Sequence, residues 1–149
     1  MMAPLIVLLV VLAGMGQPIQ AAMNARLRES VDSPALTALL SFVVGAVVLA
    51  IVTSSGTLGR GTLSGLNRAP WWSWLGGLSG AFSVITALIA LPRAGSAVVI
   101  SAALLGQTAA SLAIDHFGWL DVPRVPINAL RVAGVILLFA GVLLIQHKR

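Results

Sequence analysis

The sequence predicts an all-α integral membrane protein, one transmembrane domain over residues 1–149 built as a bundle of five helices. Three observations lead there. Hydrophobic residues make up 58% of the chain and charged residues 9%, with a mean hydropathy of +1.02; an ordinary soluble domain carries roughly a quarter charged residues. A soluble fold of this size exposes much of its surface and needs polar side chains to cover it. Nine basic and four acidic residues cannot do so, whereas a bilayer solvates an apolar exterior directly. Finally, apolar runs recur at the length that crosses hydrocarbon, roughly 17–25 residues.

The first run goes from Pro4 to about Ala22. A cleaved signal peptide is the alternative for residues 1–22, but no basic region precedes the run and further long apolar runs follow it. The second run covers 35–53, and a polar, Gly-rich connection from Ser54 to Pro70 comes next. The third, 71–91, opens on Trp71, Trp72 and Trp74; tryptophan concentrates at the headgroup level, so the cluster marks a boundary, as Trp119 does later. Pro92-Arg93-Ala94-Gly95 reads as a tight turn into the fourth span, 96–114. Asp115 to Pro126 is a loop with two prolines, and the fifth span covers 127–146 with Arg131 in its first turn, from where its guanidinium can reach the interface. Any one run could be a buried soluble helix; five, none with an amphipathic polar face, argue against that reading.

A net charge of +5 and a pI near 11.8 invite a nucleic-acid reading. Phosphate-binding residues cluster on a face or stripe. Here Arg26, Arg28, Arg60, Arg68, Arg93, Arg124, Arg131, Lys148 and Arg149 sit singly or in pairs at the edges of apolar runs, where membrane proteins place them. No nucleic-acid partner is expected; membrane lipid is. The absence of cysteine removes disulfides, thiolate metal sites and cysteine nucleophiles. No ligand cluster predicts a metal, no motif predicts a cofactor, and no catalytic constellation predicts an enzyme.

Five spans put the termini on opposite sides. The side holding the N-terminus then carries four basic residues (Arg60, Arg68, Arg124, Arg131) and the other five (Arg26, Arg28, Arg93, Lys148, Arg149). Lys/Arg asymmetry sets orientation, and four against five sets almost none. The expectation is insertion in both orientations and an inverted-topology homodimer, an architecture that transporters use; the alternative is that the local pair Arg26 and Arg28 fixes one orientation.

No Asp, Glu, Lys, Arg or His lies near the middle of a span. Such groups mark proton relays and ion paths, so amides are what remain to face a polar molecule. Gln17, Gln20 and Asn24 stand at i, i+3 and i+7 of the first helix and share a face with Gly14, while Pro18 loosens the helix there. A carbonyl freed beside a row of amides makes a substrate-facing wall; the alternative is bonding across helices. Gln107, mid-span in the fourth helix, demands a partner or a wet cavity. Small residues form stripes: Gly76, Gly80 and Ser83 with Trp72 in the third helix, Thr37, Ser41 and Gly45 in the second, Gly106 in the fourth, Gly134 and Gly141 in the fifth. Close helix packing is their expected role, with Trp72 and Ser83 also candidates to line a substrate path, Trp72 otherwise being an interfacial anchor. Asp115 and His116 have no third catalytic partner and read as an ordinary interfacial turn; His147 reads as solvated.

As an ordered set, Gly16-Gln17-Pro18-Ile19-Gln20 through Asn24, Ser41-Phe42-Val43-Val44-Gly45, Trp71-Trp72-Ser73-Trp74-Leu75-Gly76-Gly77, Gly106-Gln107, Asp115-His116-Phe117-Gly118 and Arg131-Val132-Ala133-Gly134 resemble the YdcZ-like family of small bacterial membrane proteins. The resemblance covers essentially the whole chain. It implies membership of the drug/metabolite transporter superfamily, a place in the bacterial cytoplasmic (inner) membrane, and a five-helix half that dimerises antiparallel, as family members also occur as pairs or as fused ten-helix chains. It supplies no substrate. The related small multidrug resistance proteins use a glutamate within the first helix; this chain has Gln17, Gln20 and Asn24 there and no acid, which argues against proton-coupled cation export by that mechanism. The expected function is transport of a small polar or amphipathic molecule by alternating access across a dimer interface; a non-transporting scaffold or regulatory subunit is the alternative.

Overall fold

The computed structural model describes residues 2–59 and 61–147; Arg60, Lys148 and Arg149, which enter the charge count above, lie outside them. Among the described residues five α-helices follow one another, each long and apolar enough to cross a membrane, and none of these residues is in a strand.

Helix α1 is Met2–Val31, 30 residues. It runs well beyond the apolar stretch because nothing between Ile19 and Val31 breaks it and Arg26 pairs with Glu29 one turn later. It stops at Asp32, whose φ of 49° leaves the helical region. Helix α2, Pro34–Ser55, starts at once: the Ser33 hydroxyl accepts from the Leu36 N–H at 3.2 Å, and Pro34 occupies the first turn, where a missing N–H costs nothing. Gly56, left-handed at φ 67°, closes α2. The connection that follows carries a 3₁₀ turn over Leu63–Arg68, capped by Thr62.

The third span differs from its expected form at both ends. Trp71–Leu75 is a 3₁₀ turn, and α3 proper is Gly76–Ala94. Pro70 immediately before the tryptophans and the Gly76-Gly77 pair after them, both poor helix formers, account for the tighter first turn. At the other end α3 runs through Pro92, so the expected four-residue turn shrinks to Gly95 alone, at φ 77°. Helix α4 is Ser96–Phe117. Gly118 closes it left-handed, a 3₁₀ turn follows over Trp119–Asp121, and an extended segment leads to α5, Ala129–Gln146. The Asn128 carboxamide oxygen accepts from the Arg131 N–H at 2.9 Å and caps α5.

The chain forms two compact units, Met1–Pro18 with Ala94–Arg149, and Ile19–Arg93. The division falls inside α1 at Pro18 and at the end of α3, just past Pro92. In the second unit the interior is small and partly polar: Asn24, Thr37, Ala38 and Leu88 are buried. Thr37, fully enclosed, spends its hydroxyl on the Ser33 carbonyl at 2.8 Å. In the same unit a methyl group at Gly80 would sit 3.5 Å from the Phe42 ring, so the Phe42 side chain of α2 reaches α3 there. Elsewhere large apolar side chains face outward along all five helices, Val44 at 65% and Leu137 at 72% exposure among them. That exterior suits hydrocarbon.

Candidate functional site

The amide row of α1 divides in two. Gln17 and Gln20 are exposed, and their carboxamides bond to nothing among the described residues. Asn24, one turn further on the same face, is only 7% exposed. Arg28 extends the stripe by another turn and is half-buried; its guanidinium donates to the main-chain carbonyl of Leu88 in α3. The stripe is therefore open at Gln17 and Gln20 and closed at Asn24 and Arg28. The sequence signal for Arg28 was present in the spacing: residues 17, 20, 24 and 28 stand at i, i+3, i+7 and i+11.

Gln107 is exposed midway along α4 and likewise has no hydrogen-bond partner among the described residues. Thr108 beside it is spent on its own helix, donating to the Leu104 carbonyl at 2.8 Å. Ser83 does the same with the Ser79 carbonyl at 3.0 Å, and Trp72 is half-buried in the 3₁₀ turn ahead of α3. Gln17 and Gln107 belong to the unit that contains α4 and α5, while Gln20, Asn24, Trp72 and Ser83 belong to the other. No candidate bonds to another among the described residues. Of the packing candidates, Gly80 meets Phe42 and Ser41 is half-buried, whereas a methyl group at Gly45, Gly76, Gly106, Gly134 or Gly141 would meet nothing within 4 Å. Those five glycines leave flat, unfilled positions on their helices.

The connection between α4 and α5 is tied together by charged and polar groups. Arg131 bonds the Asp115 carboxylate at 3.1 Å, with both side chains about a third exposed. The Arg124 Nε donates to the His116 carbonyl at 2.9 Å, the Val125 N–H to the Asp115 carbonyl at 2.8 Å, and the Ile127 N–H to the His116 Nδ1 at 3.2 Å. Phe117 and Trp119 stack, ring centres 4.9 Å apart, at its rim. Beneath it an apolar cleft of about 490 Å³ opens between α4 and α5, lined by Ala109, Leu112, Ala113, His116, Val132 and Val135. Asp115 and His116 thus have partners that sequence did not pair with them, and the partners are structural. These bonds fasten the turn.

Five apolar helices, each long enough to cross a bilayer, define a multi-pass helical membrane protein. The particular family follows from comparison: over residues 5–144 the chain matches the family described as "Putative inner membrane exporter, YdcZ", and it belongs to that family. It is similar to the inner membrane protein YdcZ of Escherichia coli (strain K12), 27% identical over 140 residues that make up 91% of each chain. No solved structure matches it. It is a multi-pass inner-membrane protein.

Proposed function

We propose that this chain is an exporter subunit that moves a small polar or amphipathic molecule by alternating access, working as an antiparallel homodimer with Gln17 and Gln107 facing the cargo. One observation carries the reading: both amides are exposed within membrane-spanning helices and have no partner among the described residues. An amide facing hydrocarbon forfeits several kilocalories of hydrogen bonding, so in the membrane it faces water, cargo or a second protein surface. Pro18 adds to the polarity. Lacking an N–H, it denies the Gly14 carbonyl its usual partner one turn before Gln17. The family's description as an exporter supports the same reading. Amides and a carbonyl, with no carboxylate, suit a neutral or weakly polar cargo that both donates and accepts hydrogen bonds. Asn24, on the closed part of the stripe, is a packing residue in this scheme.

The test is growth of cells expressing the chain on a panel of small polar and amphipathic toxic compounds, followed by efflux of the compounds against which it protects. Gln17→Ala and Gln107→Ala are expected to abolish protection with membrane levels unchanged; full protection by both variants would withdraw the site. The five unfilled glycine positions favour a second reading, a scaffold or regulatory subunit docked on another membrane protein. Co-purification of a stoichiometric heterologous partner with no protection against any compound would favour it.

A further inference from the structure

Pro92 lies inside α3, two residues from its end. A proline has no N–H, and its ring crowds the carbonyl one turn earlier, so the helix hydrogen bond to residue i−4 is lost. That residue is Leu88. It is 3% exposed, the only large apolar side chain among the buried described residues, so water does not reach it freely. A buried carbonyl with no partner is destabilising. The Leu88 carbonyl nonetheless has a donor, and the donor comes from a different helix: the Arg28 guanidinium of α1. Arg93, next to Pro92, turns back on its own helix instead, bonding the Ile89 carbonyl at 2.7 Å.

We infer that Arg28 is the surrogate for the peptide N–H that Pro92 removes, and that this bond is the joint by which α1 is held to α3. A charged donor makes a stronger bond than the amide it replaces. It also differs in kind. A backbone bond ties α3 to itself, whereas a side-chain bond ties α3 to α1 and can be released without unwinding either helix. Arg28 closes the stripe on which Gln20 stands open, so it fixes the rotation of that part of α1 about its axis. It is a positioning residue for Gln20 and Asn24, and its charge is a second property, not its only one.

The experiment is a double-mutant cycle on the purified full chain in detergent, reading reversible unfolding of four proteins: the parent, Arg28→Met, Pro92→Ala, and the two combined. Methionine keeps the stem and removes the donor; the alanine substitution returns a backbone N–H to the Leu88 carbonyl. Arg28→Met is expected to lower the folding equilibrium constant about tenfold in the parent and less than about threefold when Pro92→Ala is already present. The loss of positive charge is common to both backgrounds and cancels. An equal penalty in both would overturn the inference. If Arg28→Met does not accumulate as folded protein, recovery of folded yield by adding Pro92→Ala supports the joint, and failure to recover it overturns it.

Discussion

At the residue scale, this membrane protein shows how few polar side chains a bilayer fold needs and how several of them are committed. Thr37, Thr108 and Ser83 return their hydroxyls to the carbonyl one turn back, Asp115 takes Arg131, and Arg28 takes Leu88. Among the amides inside the spans, Gln17, Gln20 and Gln107 stand apart because they are both exposed and uncommitted. Removing a committed group therefore costs stability, and removing an uncommitted one costs function. Arg131→Leu is expected to destabilise the chain by about 1 kcal/mol, a small figure because the pair is a third exposed. Asp115→Ala made in that background should then cost little more, which thermal unfolding of the two single variants and the double variant would check. Gln17→Ala should leave the melting temperature unchanged. The amide row was legible from spacing alone, since i, i+3 and i+7 describe one helix face whatever surrounds it. Its division into open and closed halves was not, because which residues of one face find a partner depends on α3, and Pro92 gives no sequence signal of who will serve Leu88.

Helices were legible to within a few residues wherever a cap accompanied the hydropathy. Ser33-Pro34 and Gly56 bound α2, Asn128 and the apolar run bound α5, and Gly118 ends α4. The reading faltered where polar residues remain helical. Residues 23–31 of α1 are charged and amidic, so apolarity ended the span at Ala22 while helix propensity carried it to Val31. The Pro92 turn was misplaced for the opposite reason: proline usually ends a helix, and here Arg28 compensates for its defect. Two variants test these elements. Asn128→Ala removes the α5 cap and is expected to cost about 1 kcal/mol, detectable as faster hydrogen exchange in the first turn of α5. Gly118→Ala forces a side chain into the left-handed region at φ 66° and should cost about 1 kcal/mol, mostly through backbone strain, since the added methyl would make only ordinary contact with Arg124.

On the scale of the whole molecule, the exterior is the finding. Large apolar side chains point outward on every helix, and the buried set among the described residues is Asn24, Thr37, Ala38 and Leu88. A surface of that kind needs lipid, a second copy, or both. The dimer proposed above predicts that a C-terminal dual-reporter fusion gives comparable signal on both sides of the membrane; signal from one side alone would remove the antiparallel arrangement. Class and span number were readable from the sequence, because hydropathy is a property of each segment by itself. Assembly was not, because it depends on surfaces meeting. The helices also differ greatly in length. At about 1.5 Å per residue, the 30 residues of α1 extend about 45 Å, while the 18 of α5 extend about 27 Å, just short of a hydrocarbon core of about 30 Å. A long helix accommodates a thicker bilayer by standing more upright, but a short one must thin the lipid around it. Acyl-chain length thus becomes a lever on the protein, with α5 the first element to feel it: unfolding in bicelles of increasing thickness should show stability falling once the core exceeds the reach of that helix.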